Sequence, residues 1–212
     1  MHQDLKRKQP LKSIEVHDRF EIWGIDLIGP LNTSTSGNKY ICVAVEYASK
    51  WAEVVALPTK EASGVSKFLM QLVHRFGVPK QIISDRGTEF CNTLINSMME
   101  TLNIRKSRTS AYHPQTNGLT ERTNQTLFTA LSKCGHSNDW DQHLDSVVFS
   151  YRVNKHSSTG MSPFQALYGR DPRLPFDAEH GDPSDLMEEG TFTTVCLKYY
   201  CEFFLLRTNH RF

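Results

Sequence analysis

FEIWGIDLIGPLNTSTSGNKYICVAVEYASKWAEVVALP, residues 20–58, decides the architecture. Its first ten residues alternate and are rich in β-formers, which predicts a strand ending near Asp26 or Leu27. The turn STSGNKY follows. KYICVAVEYA and KWAEVVALP then read as two more strands, giving an antiparallel meander of three.

Helical spacing takes over downstream. Val65, Phe68, Leu69, Leu72, Val73 and Phe76 form one apolar stripe, closed by Gly77 and Pro79. KQIIS reads as a short buried strand ending at Asp85, and NIRKS as another short strand. Between them, Leu94, Ile95, Met98, Met99 and Leu102 mark a helix whose methionines fill the core. After the polar turn in AYHPQTNGLTERTNQTL, Leu127, Ala130, Leu131 and Cys134 stripe a long helix. Trp140, Leu144, Val147, Val148 and Tyr151 stripe the next. Three antiparallel strands followed by alternating helices and strands imply an α/β domain: a mixed five-stranded sheet with helices packed on it.

Composition bounds the rest. The chain has 212 residues, 39% hydrophobic and 22% charged, with net charge +1, which describes a soluble globular domain plus extensions. No apolar run reaches the ~20 residues of a membrane helix, so no membrane partner is expected. Five scattered cysteines and no signal peptide read as a reduced intracellular chain, nuclear or cytoplasmic and not secreted. Residues 1–17 read as a basic lead-in, 18–175 as the core, 176–190 as an acidic linker and 191–212 as a tail without clear period. Residues 101–133 carry Arg105, Lys106, Arg108, Arg122 and Lys133 against Glu121 alone. On charge alone a solvated surface is the better reading of that segment, although it also suits phosphate.

Three carboxylates stand out. Asp26 in WGID and Asp85 in IISD each follow an apolar strand, where the chain leaves the sheet. If the strands are neighbours the acids converge, and bare carboxylates ~4 Å apart repel by about 4 kcal/mol at an effective dielectric near 20. Either one is protonated or a cation sits between them, and hard oxygen ligands suit Mg²⁺ or Mn²⁺. Glu121 opens the long helix, where successive residues turn by about 100°. That turn puts Glu121, Asn124, Gln125 and Phe128 on a face apart from the core stripe. Singly, each acid has an ordinary reading: turn former for Asp26 and Asp85, helix-dipole partner for Glu121.

With 35 residues between the last two, Asp26, Asp85 and Glu121 resemble the D,D-35-E triad of retroviral and retrotransposon integrase cores. WGIDLIGPL, GNKYICVAVEYASKWAEVVAL, FGVPKQIISDRGTEF, AYHPQTNGLTERTNQTL and SPFQALYGRDPRLP are similar, in order, to the gypsy-type long-terminal-repeat branch. The resemblance implies an RNase H-like fold. It implies Asp26, Asp85 and Glu121 as catalytic metal ligands for two Mg²⁺ or Mn²⁺ ions, and DNA integration through 3′-end processing and strand transfer. Element ends and target DNA are the implied partners, with a homo-oligomer formed through the core. Tyr112, Gln115, Asn117, Asn124 and Gln125 match positions that meet DNA in the family. His113 reads as a loop-shaping residue and not a general base.

Departures accompany the match. Gln125 and Phe128 stand where family members often carry basic residues. No His-His-Cys-Cys module is legible, so no zinc is expected. The chain reads as a core cut from a longer polyprotein. The alternatives are a domesticated or truncated relic that binds nucleic acid or a protein without integrating DNA, and an RNase H-type nuclease. The nuclease branch usually needs a fourth carboxylate and a different acid order.

Overall fold

A computed structural model describes residue 16 and residues 18–108, 118–134 and 138–174. The expected meander is present as β1 (Ile22–Ile28), β2 (Tyr40–Glu46) and β3 (Ala52–Leu57). Both of its pairings are antiparallel. Two short strands, β4 (Gln81–Ser84) and β5 (Arg105–Arg108), add in parallel on the far side of β1. The order β3-β2-β1-β4-β5 is the mixed five-stranded sheet. One boundary moves. Leu27 and Ile28 still pair with Cys42 and Ile41, so Asp26 sits inside β1 and not at its end.

Alternation along β1 and β2 sorts the core into two layers. Trp23, Ile25, Cys42 and Ala44 face α1 (Ala62–Phe76) and α2 (Thr93–Thr101). Ile41, Val43 and Val45 face α3 (Gly118–Lys133) and α4 (Leu144–Val153). The α1 stripe ends where Gly77, at φ 85°, donates its N–H to Val73 O, with Pro79 just beyond. Asn92 caps α2 by accepting from Ile95 N at 2.9 Å, and Met99 is buried as expected. A 3-10 turn at Trp140–His143 precedes α4, and a short α5 (Pro163–Tyr168) follows it. Neither was legible from period alone. The two layers are tied together at the sheet edge by Glu53 of β3. It accepts from Trp51 Nε1 at 2.7 Å and pairs with Arg75 of α1 at 2.6 Å and Arg152 of α4 at 3.0 Å.

Helix α3 approaches β1 unusually closely, and a glycine makes the room. A Cβ built on Gly24 would stand 2.2 Å from Thr120 Oγ1 and 2.9 Å from Tyr47 Cε2. Gly24 and Asp26 are two apart on one strand, so they share the face that α3 covers. In Gly24→Ala, α3 must lift off the sheet. Urea denaturation should show a loss of roughly 1–3 kcal/mol, the usual cost of an overpacked interior. An unchanged midpoint would mean that the close approach is not needed.

Candidate active site

Asp26 projects from the middle strand toward α3 and is only partly exposed. Its Oδ1 accepts from the Leu27 N–H at 2.9 Å and its Oδ2 from Asn124 Nδ2 at 2.8 Å. Asp85 arrives from the parallel neighbour. Gly24 lies opposite Ile83, so two residues further on both chains carry an aspartate at the same level. Asp85 Oδ1 accepts from Gly87 N at 2.9 Å, which shapes the turn after β4. The ordinary turn role and a place in the site are thus compatible. Glu121 comes from the first turn of α3 and is exposed.

Electrostatics tie the three together. The Asp26 carboxyl is pushed up from an ordinary 3.8 to about 6. Burial is the largest cause; the Leu27 N–H opposes it, and the charges of Asp85, Glu121 and Glu89 add to it. Charges act this way only at short range, so the acids lie near one another where β1 and β4 leave the sheet. They are not closed into a coordination shell. Among the described residues no three His, Cys, Asp or Glu side chains are placed to hold one ion.

The expected face of α3 divides. Glu121, Gln125 and Phe128 are exposed, but Asn124 turns inward to Asp26. Its Oδ1 is buried without a hydrogen-bond partner among the described residues. Tyr112, His113, Gln115 and Asn117 lie outside the described residues, as do the acidic segment and the tail. Glu89 was missed. It is half-buried in the loop after Asp85, and a Cβ on Gly87 would stand 2.5 Å from its Oε1. Its charge also helps raise the Cys42 thiol, chiefly lifted by burial. The signal was a second acid four residues after Asp85 in SDRGTEF.

The donor set fits a divalent cation. Among the described residues three acids act on Asp26, and an amide oxygen without a hydrogen-bond partner lies beside it. Without an ion the cluster costs stability. Asp26 titrates near 6 when folded and near 3.8 when unfolded. Between those values the folded chain holds a proton that the unfolded chain has released, so stability from this group falls as pH rises from about 4 to 6. In chelator, Asp26→Asn should melt about 5 °C above the parent at pH 7, with the gap closing by pH 4. A constant gap across that range would contradict the assignment.

Comparison with known proteins agrees with this fold. Residues 17–114 match the family described as Integrase core domain. Gypsy retrotransposon integrase-like protein 1 of Bos taurus is 29% identical over 188 residues, covering 87% of this chain and 36% of that protein. The chain therefore spans about a third of that relative. Among solved structures, the catalytic core domain of BIV integrase is 24% identical, with TM-score 0.56 over 71% of this chain and 95% of that one. The HTLV-2 integrase catalytic core domain in complex with magnesium, in a trimeric form, is 18% identical, with TM-score 0.56 over 69% and 95%. The sheet order and the two helical layers are accordingly those of the RNase H-like fold, and residues 17–114 belong to the integrase core domain family.

Proposed function

We propose that this chain is a divalent-metal-dependent polynucleotidyl transferase of the integrase type. It processes the 3′ ends of an element's DNA and joins them to target DNA, working as an oligomer of cores in the nucleus or cytoplasm. The observation that carries this reading is the convergence of Asp26, Asp85 and Glu121. Three elements distant in sequence bring like charges toward the place where β1 and β4 leave the sheet, and burial first and those charges second raise Asp26 to about 6. A structural protein gains nothing from that crowding, and a cation site does. Magnesium in the HTLV-2 core supports the choice of ion, and the trimeric form of that core supports an oligomer.

Asp26, Asp85 and Glu121 would hold Mg²⁺ or Mn²⁺. Such ions, when bound, polarise phosphoryl oxygens and lower the pKa of a bound water or hydroxyl. The protein's own contribution is placement. Asn124 fixes the rotamer of Asp26 through the 2.8 Å bond to Oδ2. The Asp85–Gly87 bond fixes the turn that presents Asp85. Nearby side chains are poor nucleophiles. Cys42 is fully buried with its thiol raised, and the Ser84 hydroxyl is spent on the Asp85 carbonyl at 3.0 Å. Attack by water or a DNA 3′-hydroxyl, in line and without a protein-bound intermediate, matches that chemistry. The exposed Gln125 and Phe128 supply no positive charge, so the grip on phosphate is weak and the activity modest.

The test is a Mn²⁺-dependent reversal assay on branched DNA, run with the parent chain, Asp85→Asn and an RNA–DNA hybrid as control substrate. The parent should resolve the branch, and the variant should lose about 100-fold or more in rate. Equal activity in both chains would end the enzyme reading. Activity in neither, with both folded by circular dichroism, would favour a relic that binds nucleic acid or a protein without joining DNA. Preference for the hybrid would indicate the nuclease branch.

A further inference from the structure

Helix α3 presents two buried threonines to the sheet side, Thr120 and Thr123. Each immediately precedes a site residue, Glu121 and Asn124. An apolar side chain there would hold the helix by shape alone, leaving it free to roll or slide a little. A buried hydroxyl is directional and needs a partner. Thr123 Oγ1 lies 3.0 Å from Leu119 O and 3.2 Å from the Tyr151 hydroxyl. That hydroxyl donates in turn to Lys50 O at 3.1 Å. Thr120 Oγ1 has no hydrogen bond of regular geometry among the described residues, and the polar group facing it is the Tyr47 hydroxyl.

Tyr47 and Lys50 belong to one turn, residues 46–50, between β2 and β3. A carboxylate forms its centre. Glu46 is fully buried; its Oε1 accepts from Phe20 N at 3.2 Å and Ala48 N at 2.9 Å, and its Oε2 from Ser49 N at 2.6 Å and from the Ser49 hydroxyl. Lys50 N donates to Glu46 O at 3.0 Å, and Lys50 takes φ 65°. The turn is therefore held from inside by one side chain, and it reaches α3 through Tyr47 and, by way of Tyr151 of α4, through the Lys50 carbonyl.

We propose that the Glu46-centred turn sets the roll and axial position of α3 through Tyr47–Thr120 and Lys50–Tyr151–Thr123, making these threonines and tyrosines positioning residues for Glu121 and Asn124. The catalytic half of this inference rests on the integrase reading; the positioning half does not. The lever is large. A 25° roll moves a side-chain tip about 5 Å from the helix axis by about 2 Å. That is as long as the bond from an oxygen to Mg²⁺, about 2 Å.

The test compares Thr123→Val, which keeps the shape and removes the hydroxyl, with Thr123→Ser, which keeps the hydroxyl and removes a methyl. Tyr151→Phe is the second probe, removing one oxygen at little cost in volume, should Thr123→Val fold poorly. Two readouts are taken. The side-chain amide signals of Asn124 in ¹⁵N NMR report its bond to Asp26 without DNA or metal. Single-turnover joining of DNA with Mn²⁺ reports kcat and KM. Thr123→Val and Tyr151→Phe should move the Asn124 signals and lower kcat about tenfold at unchanged KM, whereas Thr123→Ser should resemble the parent in both. A role in packing alone predicts the opposite order, with Ser worse than Val, and that result overturns the proposal. So do parent-like Asn124 signals in Thr123→Val and Tyr151→Phe. If the parent chain joins no DNA, the integrase reading fails, and the NMR comparison still decides the positioning.

Discussion

Helix α3 can serve the acid cluster only because β1 meets it with a glycine. Four helix residues rise about 6 Å, and two strand residues cover about 6.6 Å. With Thr120 seated over Gly24, Asn124 therefore comes level with Asp26, and the 2.8 Å bond between them closes that match. Any side chain at position 24 would wedge the helix outward at the turn that carries Glu121. On the proposed reading this contact would carry the third acid toward the other two, so the chemistry would depend on a missing Cβ rather than on an added group.

Buried carboxylates elsewhere in the chain show what is different about Asp26. Glu53 faces two arginines and an indole N–H. Glu46 receives three backbone N–H groups and a hydroxyl. Both are satisfied in the manner expected of structural acids. Asp26 receives two neutral donors and the charges of three further acids. Same residue chemistry, opposite surroundings: the first two stabilise a fold, and the third holds an electrostatic deficit that a cation would relieve.

Much of this was legible in the residues. Alternation gave the meander, and the apolar stripes gave α1 to α4, because those signals come from burial, which the pattern records directly. The acids were legible because two ended apolar runs and the third opened a helix outside its stripe. What escaped was polar and inward. Thr120 and Thr123 look like surface positions when only apolar residues are counted, yet both are buried and carry hydroxyl contacts. Asn124 looked outward beside Gln125, but a neighbour from β1 takes its amide in a hydrogen bond to Asp26. Glu89 was hidden by the strand-end criterion, since it sits in a loop whose path no period encodes. The strand end at Asp26 was placed short because Leu27 and Ile28 pair with β2 after the sequence turns toward Gly29-Pro30.

The fold can carry a destabilised edge because its stability is assembled elsewhere. Two separate apolar clusters cover the faces of the sheet, and Glu53 ties a helix of each layer to the outer strand. The acids sit in the second half of β1, just past β4 and on one helix, so their repulsion acts on a few contacts and leaves both clusters intact. Asn124 partly offsets it by donating an amide N–H to Asp26, while its own oxygen has no partner among the described residues. An ion that binds the folded acids and not the unfolded chain would add stability by mass action. It would also release Asn124 from that bond. On the proposed reading, loading the site and completing the fold where β1 and β4 end would therefore be one equilibrium.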